Sequence, residues 1–154
     1  MPLIATAVSA AGDAAALEET ALTFAATVIA LLAESEPAVA APSPRDERRI
    51  SEAVRVIEMH LDEPLSLADL ARTVAMSPYH FLRSFRLVVG VTPHQYLLAL
   101  RLKRAAVRLR QGREPIATIA YDCGFGDLSE FNRRFRRIIG VSPRLYRRGA
   151  ARAS

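Results

Sequence analysis

The side chains best suited to chemistry in this chain are arginines and an amide, and they recur in two stretches fifty residues apart. Residues 77–96 align with residues 127–146 without a gap, with eight identities in twenty positions: Phe81/Phe131, Arg83/Arg133, Phe85/Phe135, Arg86/Arg136, Gly90/Gly140, Val91/Val141, Pro93/Pro143 and Tyr96/Tyr146. A guanidinium can donate two parallel hydrogen bonds to guanine or to phosphate, and an amide such as Asn132 pairs similarly with adenine. The duplicated arginines therefore indicate recognition of a nucleic acid.

Each copy has the spacing of a capped helix that buries one face. Ser77-Pro78 is a typical helix start, as is Asp127 with Glu130 three residues later, and a glycine ends each run. Phenylalanines four residues apart mark the buried face of each helix. The open faces are then predicted to carry Tyr79, Leu82, Arg83 and Arg86 in the first copy, and Ser129, Asn132, Arg133 and Arg136 in the second.

A short apolar helix and a tight connection precede each copy, which is the order of a helix-turn-helix unit. The predicted units cover residues 66–90 and 115–140, and a linker helix over 92–111 joins them. That helix is roughly 30 Å long, close to the roughly 34 Å between successive major-groove faces of a duplex. One chain is therefore expected to place two helices in adjacent major grooves without forming a dimer.

The fold class predicted for the whole chain is all-α, because neither period-2 alternation nor a hairpin dipeptide is present. The main domain is predicted to span 45–148, with a last helix over 142–148 and a tail over 149–154. Residues 1–44 are predicted to hold one helix, about 13–34, and a Pro/Ala linker, because proline stops a helix and favours extended chain.

The formal charge of +5 conceals two oppositely charged parts. Residues 1–44 carry five acidic residues and no Lys or Arg, whereas residues 45–154 hold all 21 basic residues against 11 acidic ones, a balance of +10. A basic body of this kind suits a polyanion, because neutralised phosphates release counterions. On charge alone, a solvated basic face is an equally good interpretation.

Composition disfavours an enzyme, a metalloprotein and a membrane protein. The single cysteine, Cys123, rules out a disulfide framework and a Cys-rich zinc cluster, and the three histidines lack metal-ligand spacing. Cys123 has no catalytic partner and is interpreted as a packing thiol. The longest apolar stretch, residues 21–33, is too short to span a bilayer. We expect no cofactor, no metal and no membrane contact, and a cytoplasmic, nucleoid-associated protein.

Some side chains that resemble functional groups have a simpler structural interpretation. His80, beside Phe81, is expected to hold the turn, and the two repeated tyrosines are expected to anchor the core. Three arginines on one face of the linker helix are expected to be solvated or paired within the protein at least as readily as they contact DNA: Arg101, Arg104 and Arg108.

Residues 45–148 resemble the DNA-binding domain of the AraC/XylS family of bacterial transcription regulators. In the second half the resemblance is carried by Ile119-Ala120, Gly124-Phe125, Phe131, Arg133, Phe135, Arg136-Arg137, Gly140, Ser142-Pro143 and Tyr146-Arg147. In the first half it is carried by Leu65, Leu67, Leu70-Ala71, Ser77, His80-Phe81, Arg83, Phe85, Gly90 and Thr92-Pro93. The resemblance implies a homeodomain-like domain of seven helices, with two helix-turn-helix subdomains joined by a long helix.

The resemblance also implies roles for individual residues, by position. The base-reading set is Pro78, Tyr79, Leu82 and Arg83 in the first recognition helix, and Leu128, Ser129, Asn132 and Arg133 in the second. Both leucines are apolar where many family members have polar readers, so they either touch a thymine methyl or pack. The phosphate-contacting set is Arg86, Thr92, Arg136, Arg137 and Ser142, the Thr and Ser through the helix N-termini that they open.

The predicted function is that of a sequence-specific DNA-binding transcriptional regulator that inserts two recognition helices into successive major grooves. Its expected partners are double-stranded DNA and RNA polymerase, and activation is the expected mode of regulation, although the sequence leaves activator and repressor both open. The alternative is a shortened homologue that acts as a protein-interaction module with a partner regulator or RNA polymerase.

The 44 residues before the domain are too few for the sensor domain of most family members, so no small-molecule effector is expected. The chain is then either a truncated or mis-started form of a longer regulator or a natural short one. A short regulator would bind as a monomer, or dimerise weakly through residues 13–34.

Overall fold

The computed structural model describes residues 19–22 and 41–151. Residues 41–151 contain seven helices: α1 (Pro44–Met59), α2 (Leu67–Thr73), α3 (Pro78–Val89), α4 (Pro93–Gln111), α5 (Ile116–Asp122), α6 (Leu128–Ile139) and α7 (Pro143–Ala151). Residues 19–22 are also helical, and neither described range contains a strand. The all-α prediction is confirmed.

Two predicted boundaries are wrong by a few residues. Helix α1 begins at Pro44, inside the predicted linker, because the Ser43 side chain accepts a hydrogen bond from the Asp46 N–H and so caps the helix one residue earlier. Helix α7 continues to Ala151, past the predicted end at residue 148. Alanine and arginine favour helix, and Gly149 costs only about 1 kcal/mol in a helix interior. The rest of the predicted helix 13–34, the linker before residue 41 and tail residues 152–154 lie outside the described residues.

Side-chain caps and left-handed glycines define the ends of the two longer helices in the repeat. Ser77 accepts from the His80 N–H before α3, and Asp127 accepts from the N–H groups of Ser129 and Glu130 before α6. Gly90 and Gly140 end these helices at φ +87° and +90°. Glycine adopts this conformation without the steric cost that a Cβ imposes. The capping residues thus fix where each repeated helix starts and stops.

The described residues divide into two compact units. The first unit comprises residues 19–22, 41–60 and Leu65–Tyr96, and the second comprises Leu61–Pro64 and residues 97–151. Helix α4 crosses this division, since its first four residues belong to the first unit and the remainder to the second.

The core of the first unit is formed where α3 packs on α1 and α2. Its buried apolar side chains are Ile50, Ala53, Ile57, Leu67, Leu70, Ala71, Val74, Met76, Phe81, Leu82 and Phe85. The Tyr96 ring meets Phe85 edge-on at 5.9 Å between centroids, and its hydroxyl donates to Glu58 at 3.0 Å. Tyr96 is therefore the core anchor that the repeat predicts.

The core of the second unit joins α4, α5 and α6. Its buried members are Leu102, Ala105, Ala106, Leu109, Ile119, Ala120, Cys123, Phe125, Phe131 and Phe135, with Tyr146 packed against them. The Phe131 ring lies between Phe125 at 5.0 Å and Phe135 at 5.5 Å, and Phe135 lies 5.5 Å from Tyr146. Cys123 is fully buried, and burial raises the pKa of its thiol. Its interpretation as a packing thiol is confirmed.

The turns of the two helix-turn-helix units differ by one residue. Each short helix ends through one left-handed residue, Ala75 at φ +53° in the first unit and Gly124 at φ +86° in the second. One residue separates Ala75 from the capping Ser77, whereas two separate Gly124 from the capping Asp127. The ungapped repeat therefore starts at the cap, and the preceding helices align only after a one-residue shift.

Candidate nucleic-acid interface

Helix α3 presents a narrow polar face. Phe81 and Phe85 are fully buried, which fixes the rotation of the helix about its axis. On the other side, Tyr79 is 44% exposed, Arg83 is half-buried and Arg86 is exposed. These three predicted contact residues therefore share the accessible side of the helix.

Leu82 does not lie on that face, and its predicted open position is wrong. Its side chain is 3% exposed, and Ser84 beside it is 4% exposed. Helix α3 packs on both α1 and α2, so it buries a wider face than two phenylalanines alone would mark. His80 accompanies this packing, with its Nε2 lying 3.4 Å from Asp46 Oδ1 of α1. Leu82 is a core residue of the first unit.

Helix α6 presents a broader polar face. Its buried residues are only Phe131 and Phe135. The predicted contact residues on the remaining surface are all exposed: Ser129, Asn132, Arg133, Arg136 and Arg137. Leu128, at the first position of the helix, is half-buried and packs against the core of the second unit.

The arginines of these two faces have no ion-pair partners in the part of the chain that the structure describes. None of Arg83, Arg86, Arg133, Arg136 and Arg137 forms an ion pair with another described residue. Arg134, by contrast, turns to its own helix and donates from Nε to Glu130 at 2.8 Å. Each of the two capped helices thus displays arginines that have no ion-pair partner among the described residues, and each face suits an external anion.

Three arginines of α4 behave differently, because each has a partner in the second unit. The pairs are Arg101 with the carbonyl oxygens of Leu61 and Glu63 (2.6 and 2.7 Å), Arg104 with Asp62 (4.0 Å), and Arg108 with Asp122 (2.9 Å) and Glu114. Hydrogen bonds to the two carboxylates raise the pKa of Arg108 above its ordinary value. The pairing within the protein that the sequence suggested for this face is confirmed.

The predicted helix N-terminal contacts use hydroxyl groups that already cap. Thr92 Oγ1 accepts from the Gln95 N–H at 3.2 Å, and Gln95 Oε1 accepts from the Thr92 N–H at 3.0 Å. Ser142 Oγ accepts from the Leu145 N–H at 3.4 Å. Each hydroxyl group accepts a hydrogen bond in the cap and can still donate its own proton to a further acceptor. Sequence reasoning missed one contact here, in which the His94 N–H donates to Glu19, because the two residues are 75 positions apart.

The described residues contain no cluster of three or more His, Cys, Asp or Glu side chains that could hold a metal ion. A helix both long and apolar enough to cross a membrane is likewise not found in residues 19–22 and 41–151.

Two capped helix-turn-helix units, whose exposed arginines have no ion-pair partner within the described residues, define the class as a helix-turn-helix DNA-binding protein. A sequence model of the helix-turn-helix domain matches residues 70–149, just over half of the chain. The TetD protein of transposon Tn10 from Escherichia coli is 39% identical over 99 residues, covering 64% of this chain and 72% of TetD. The chain belongs to the AraC-type family of helix-turn-helix transcriptional regulators, which is a family of DNA-binding proteins and not of enzymes.

Solved structures give the same family. An AraC-type transcriptional regulator from Chromobacterium violaceum is 34% identical, with a TM-score of 0.64 over 70% of this chain and 96% of that one. The DNA-binding domain of AdpA, solved with a target DNA, is 32% identical, with a TM-score of 0.63 over 65% of this chain and 90% of that one. The chain spans about a third of the length of most of the curated relatives that it matches.

Proposed function

We propose that this chain is a sequence-specific DNA-binding transcriptional regulator that inserts α3 and α6 into successive major grooves of one duplex. The observation that carries the proposal is the duplication of a capped helix whose accessible arginines have no ion-pair partner among the described residues. Counterion release at phosphates supplies affinity, and the side chains that reach base edges supply sequence preference.

The proposed base-reading residues lie near the start and middle of each helix. Arg83 and Arg133 each fork onto guanine O6 and N7, and Asn132 pairs with adenine. Tyr79 and Ser129, which occupy the same repeat position, are both exposed and add one contact in each groove. Leu82 is not among the proposed base-reading residues because it is buried. Leu128 is half-buried, and its exposed part is proposed to contact a thymine methyl group.

The proposed phosphate contacts flank these readers. Arg86, Arg136 and Arg137 lie toward the C-terminal end of their helices, where they are exposed and unpaired within the described residues. Thr92 and Ser142 contribute a hydroxyl proton and the N-terminal end of the following helix. Such contacts set the register of the protein on the duplex and carry no sequence information.

The regulator is further proposed to act as an activator that contacts RNA polymerase in the cytoplasm, where it associates with the nucleoid. Weak dimerisation through residues 13–34 belongs to the same proposal, although that segment lies largely outside the described residues. Sedimentation of the intact chain tests the dimer, and a monomer at tens of micromolar contradicts it. Transcription in vitro from a bound promoter, with RNA polymerase added, tests activation.

The decisive experiment selects bound sites from random DNA and then compares variants on a selected and a scrambled site. We expect Arg83→Ala and Arg133→Ala each to cost about 1–3 kcal/mol on the selected site and little on the scrambled one. Arg136→Ala should weaken both sites alike. Arg55→Ala, which removes an exposed arginine of α1 with no proposed contact, serves as the control.

Equal losses for Arg133→Ala on the two sites would remove its base-reading role. If selection recovers no preferred sequence and binding is equally weak everywhere, the protein-interaction module becomes the better assignment. Its partner regulator or RNA polymerase would then be sought directly.

A further inference from the structure

One carboxylate reaches the N-terminal end of α4 from far away in the chain. The His94 N–H donates to Glu19 Oε1 at 2.8 Å. Glu19 is only 6% exposed although it is acidic, so its charge is held at the helix end and not in solvent. Both residues belong to the first unit. A buried carboxylate on a backbone N–H in the first turn of a helix is stabilised by the hydrogen bond and by the helix dipole.

The second copy of the repeat leaves the corresponding group open. Arg144 occupies the position of His94, two residues after the capping Ser142. Its backbone N–H has no acceptor among the described residues, and its side chain is exposed. Among the described residues, a carboxylate from the protein itself therefore covers the first of these two helix starts and not the second.

The covered helix start is one of the two proposed phosphate contacts. Carboxylate and phosphate oxygens are both anionic acceptors, and an N-terminal N–H of a helix binds either. Glu19 comes from a stretch of 44 residues that carries a charge of −5, whereas the rest of the chain carries +10. The acidic stretch thus places a negative group at a proposed phosphate contact.

We infer that Glu19 is an autoinhibitory contact: its carboxylate occupies the place of a backbone phosphate at the start of α4, and DNA must displace it. This inference rests on the proposed DNA-binding function. Displacement lowers the affinity for every sequence by the same factor, because the contact concerns phosphate and not bases. Removing the carboxylate is expected to tighten binding about three- to tenfold at low salt, and less at high salt.

The test measures affinity of the full chain for the selected and scrambled DNA sites by fluorescence anisotropy. Glu19→Gln and Glu19→Ala should both bind three- to tenfold more tightly than the wild type, on both sites alike. Glu18→Gln, which removes the same charge from the neighbouring position, is the matched control and should change affinity less than twofold. An unchanged or weaker affinity for Glu19→Gln overturns the inference, and so does an equal gain for Glu18→Gln, which would indicate general charge repulsion.

A second measurement on the wild type does not depend on how a variant folds. The carboxyl carbon of Glu19 is followed by NMR while DNA is added to saturation. Its resonance is expected to move to the position of a solvated carboxylate, together with a shift of the His94 amide. A Glu19 carboxyl resonance that does not move at saturation overturns the inference. If neither the wild type nor any variant binds DNA, the proposed function itself fails, and the inference falls with it.

Discussion

The two recognition helices share the same ends but bury different faces. Both begin at a side-chain cap and end at a left-handed glycine. Helix α3 buries four residues, Phe81, Leu82, Ser84 and Phe85, whereas α6 buries only its two phenylalanines. At the two positions that differ, α6 has Asn132, which is exposed, and Arg134, which is half-buried and paired with Glu130.

This difference distinguishes the positions that form the core of each unit from the positions that are proposed to contact DNA. Phenylalanine, glycine, proline and tyrosine are identical in the two copies because packing and backbone conformation require them. Among the positions that differ between the copies, Tyr79 corresponds to Ser129, and the buried Leu82 corresponds to the exposed Asn132. The arginines at Arg83/Arg133 and Arg86/Arg136 are identical. The second helix therefore exposes a proposed base-reading position whose counterpart in the first helix is buried in the core.

The most direct test of this difference is to exchange the residues Leu82 and Asn132 between the two helices. Leu82→Asn should destabilise the first unit by about 3–5 kcal/mol, because it removes a buried apolar side chain and buries an amide. Asn132→Leu should change the free energy of unfolding by less than about 0.5 kcal/mol while losing the preference for adenine in the second groove. Urea unfolding, followed by circular dichroism, measures the change in unfolding free energy for both variants. A small loss for Leu82→Asn would mean that its side chain is accessible after all.

Substitutions at the left-handed residue of each turn, Gly124 and Ala75, provide a second test. A Cβ at Gly124 would lie 2.7 Å from the Leu61 carbonyl oxygen and 2.8 Å from Arg101 Cζ, at a φ of +86°. Gly124→Ala should therefore cost about 2–4 kcal/mol in unfolding free energy. Ala75→Gly, at the equivalent left-handed residue, should be neutral or gain up to about 1 kcal/mol. Equal effects of the two substitutions would contradict the different packing of the turns.

The unequal number of arginines predicts an unequal response to salt. Arg136 is followed by Arg137, whereas its counterpart Arg86 is followed by Leu87. Replacing both Arg136 and Arg137 by Ala should reduce the slope of log K against log salt by roughly 1.8, and Arg86→Ala by roughly 0.9. Titration at four salt concentrations measures the slopes. Asn132→Leu is the control, since losing a base contact should leave the slope unchanged.

The smallest expected effect is confined to the first unit and depends on pH. A hydrogen bond with Ser43 and the proximity of His80 hold the pKa of Asp46 below its ordinary value. Because the folded pKa is lowered, this stabilisation is present at neutral pH and is lost as the pH falls below about 4. Asp46→Asn should therefore lower the neutral plateau of the stability profile slightly and flatten its acid side, because the stabilisation by the ionised carboxylate is absent at every pH. An unchanged profile would mean that Asp46 does not contribute to the pH dependence of stability.

Much of the fold could be predicted because its signals are local. Caps such as Ser77 and Asp127, and stops such as Gly90 and Gly140, act within one turn of the helix that they end, so the sequence shows them directly. The repeat then indicated that the fold contains two related units. The burial of Phe81, Phe85, Phe131 and Phe135 followed from spacing alone.

The contacts that the sequence did not reveal join residues far apart in the chain. Leu82 is buried because α1 packs on α3, and no local pattern reports that packing. The hydrogen bonds from Arg101 to two backbone carbonyl groups span 38 and 40 positions, and any carbonyl group is an acceptor whatever its residue type. The roles of the contact residues on DNA remain predictions for the same reason, since they depend on a partner.

The buried thiol of Cys123 has a practical consequence. It is the chain's single cysteine and is fully buried in the second unit, and burial raises its pKa, so it is a poor nucleophile in the folded state. A thiol reagent can therefore modify the native protein only when the second unit opens. The labelling rate, compared with that of the unfolded chain, gives the opening free energy of the second unit by itself. Cys123 is thus a built-in probe of the opening of the second unit.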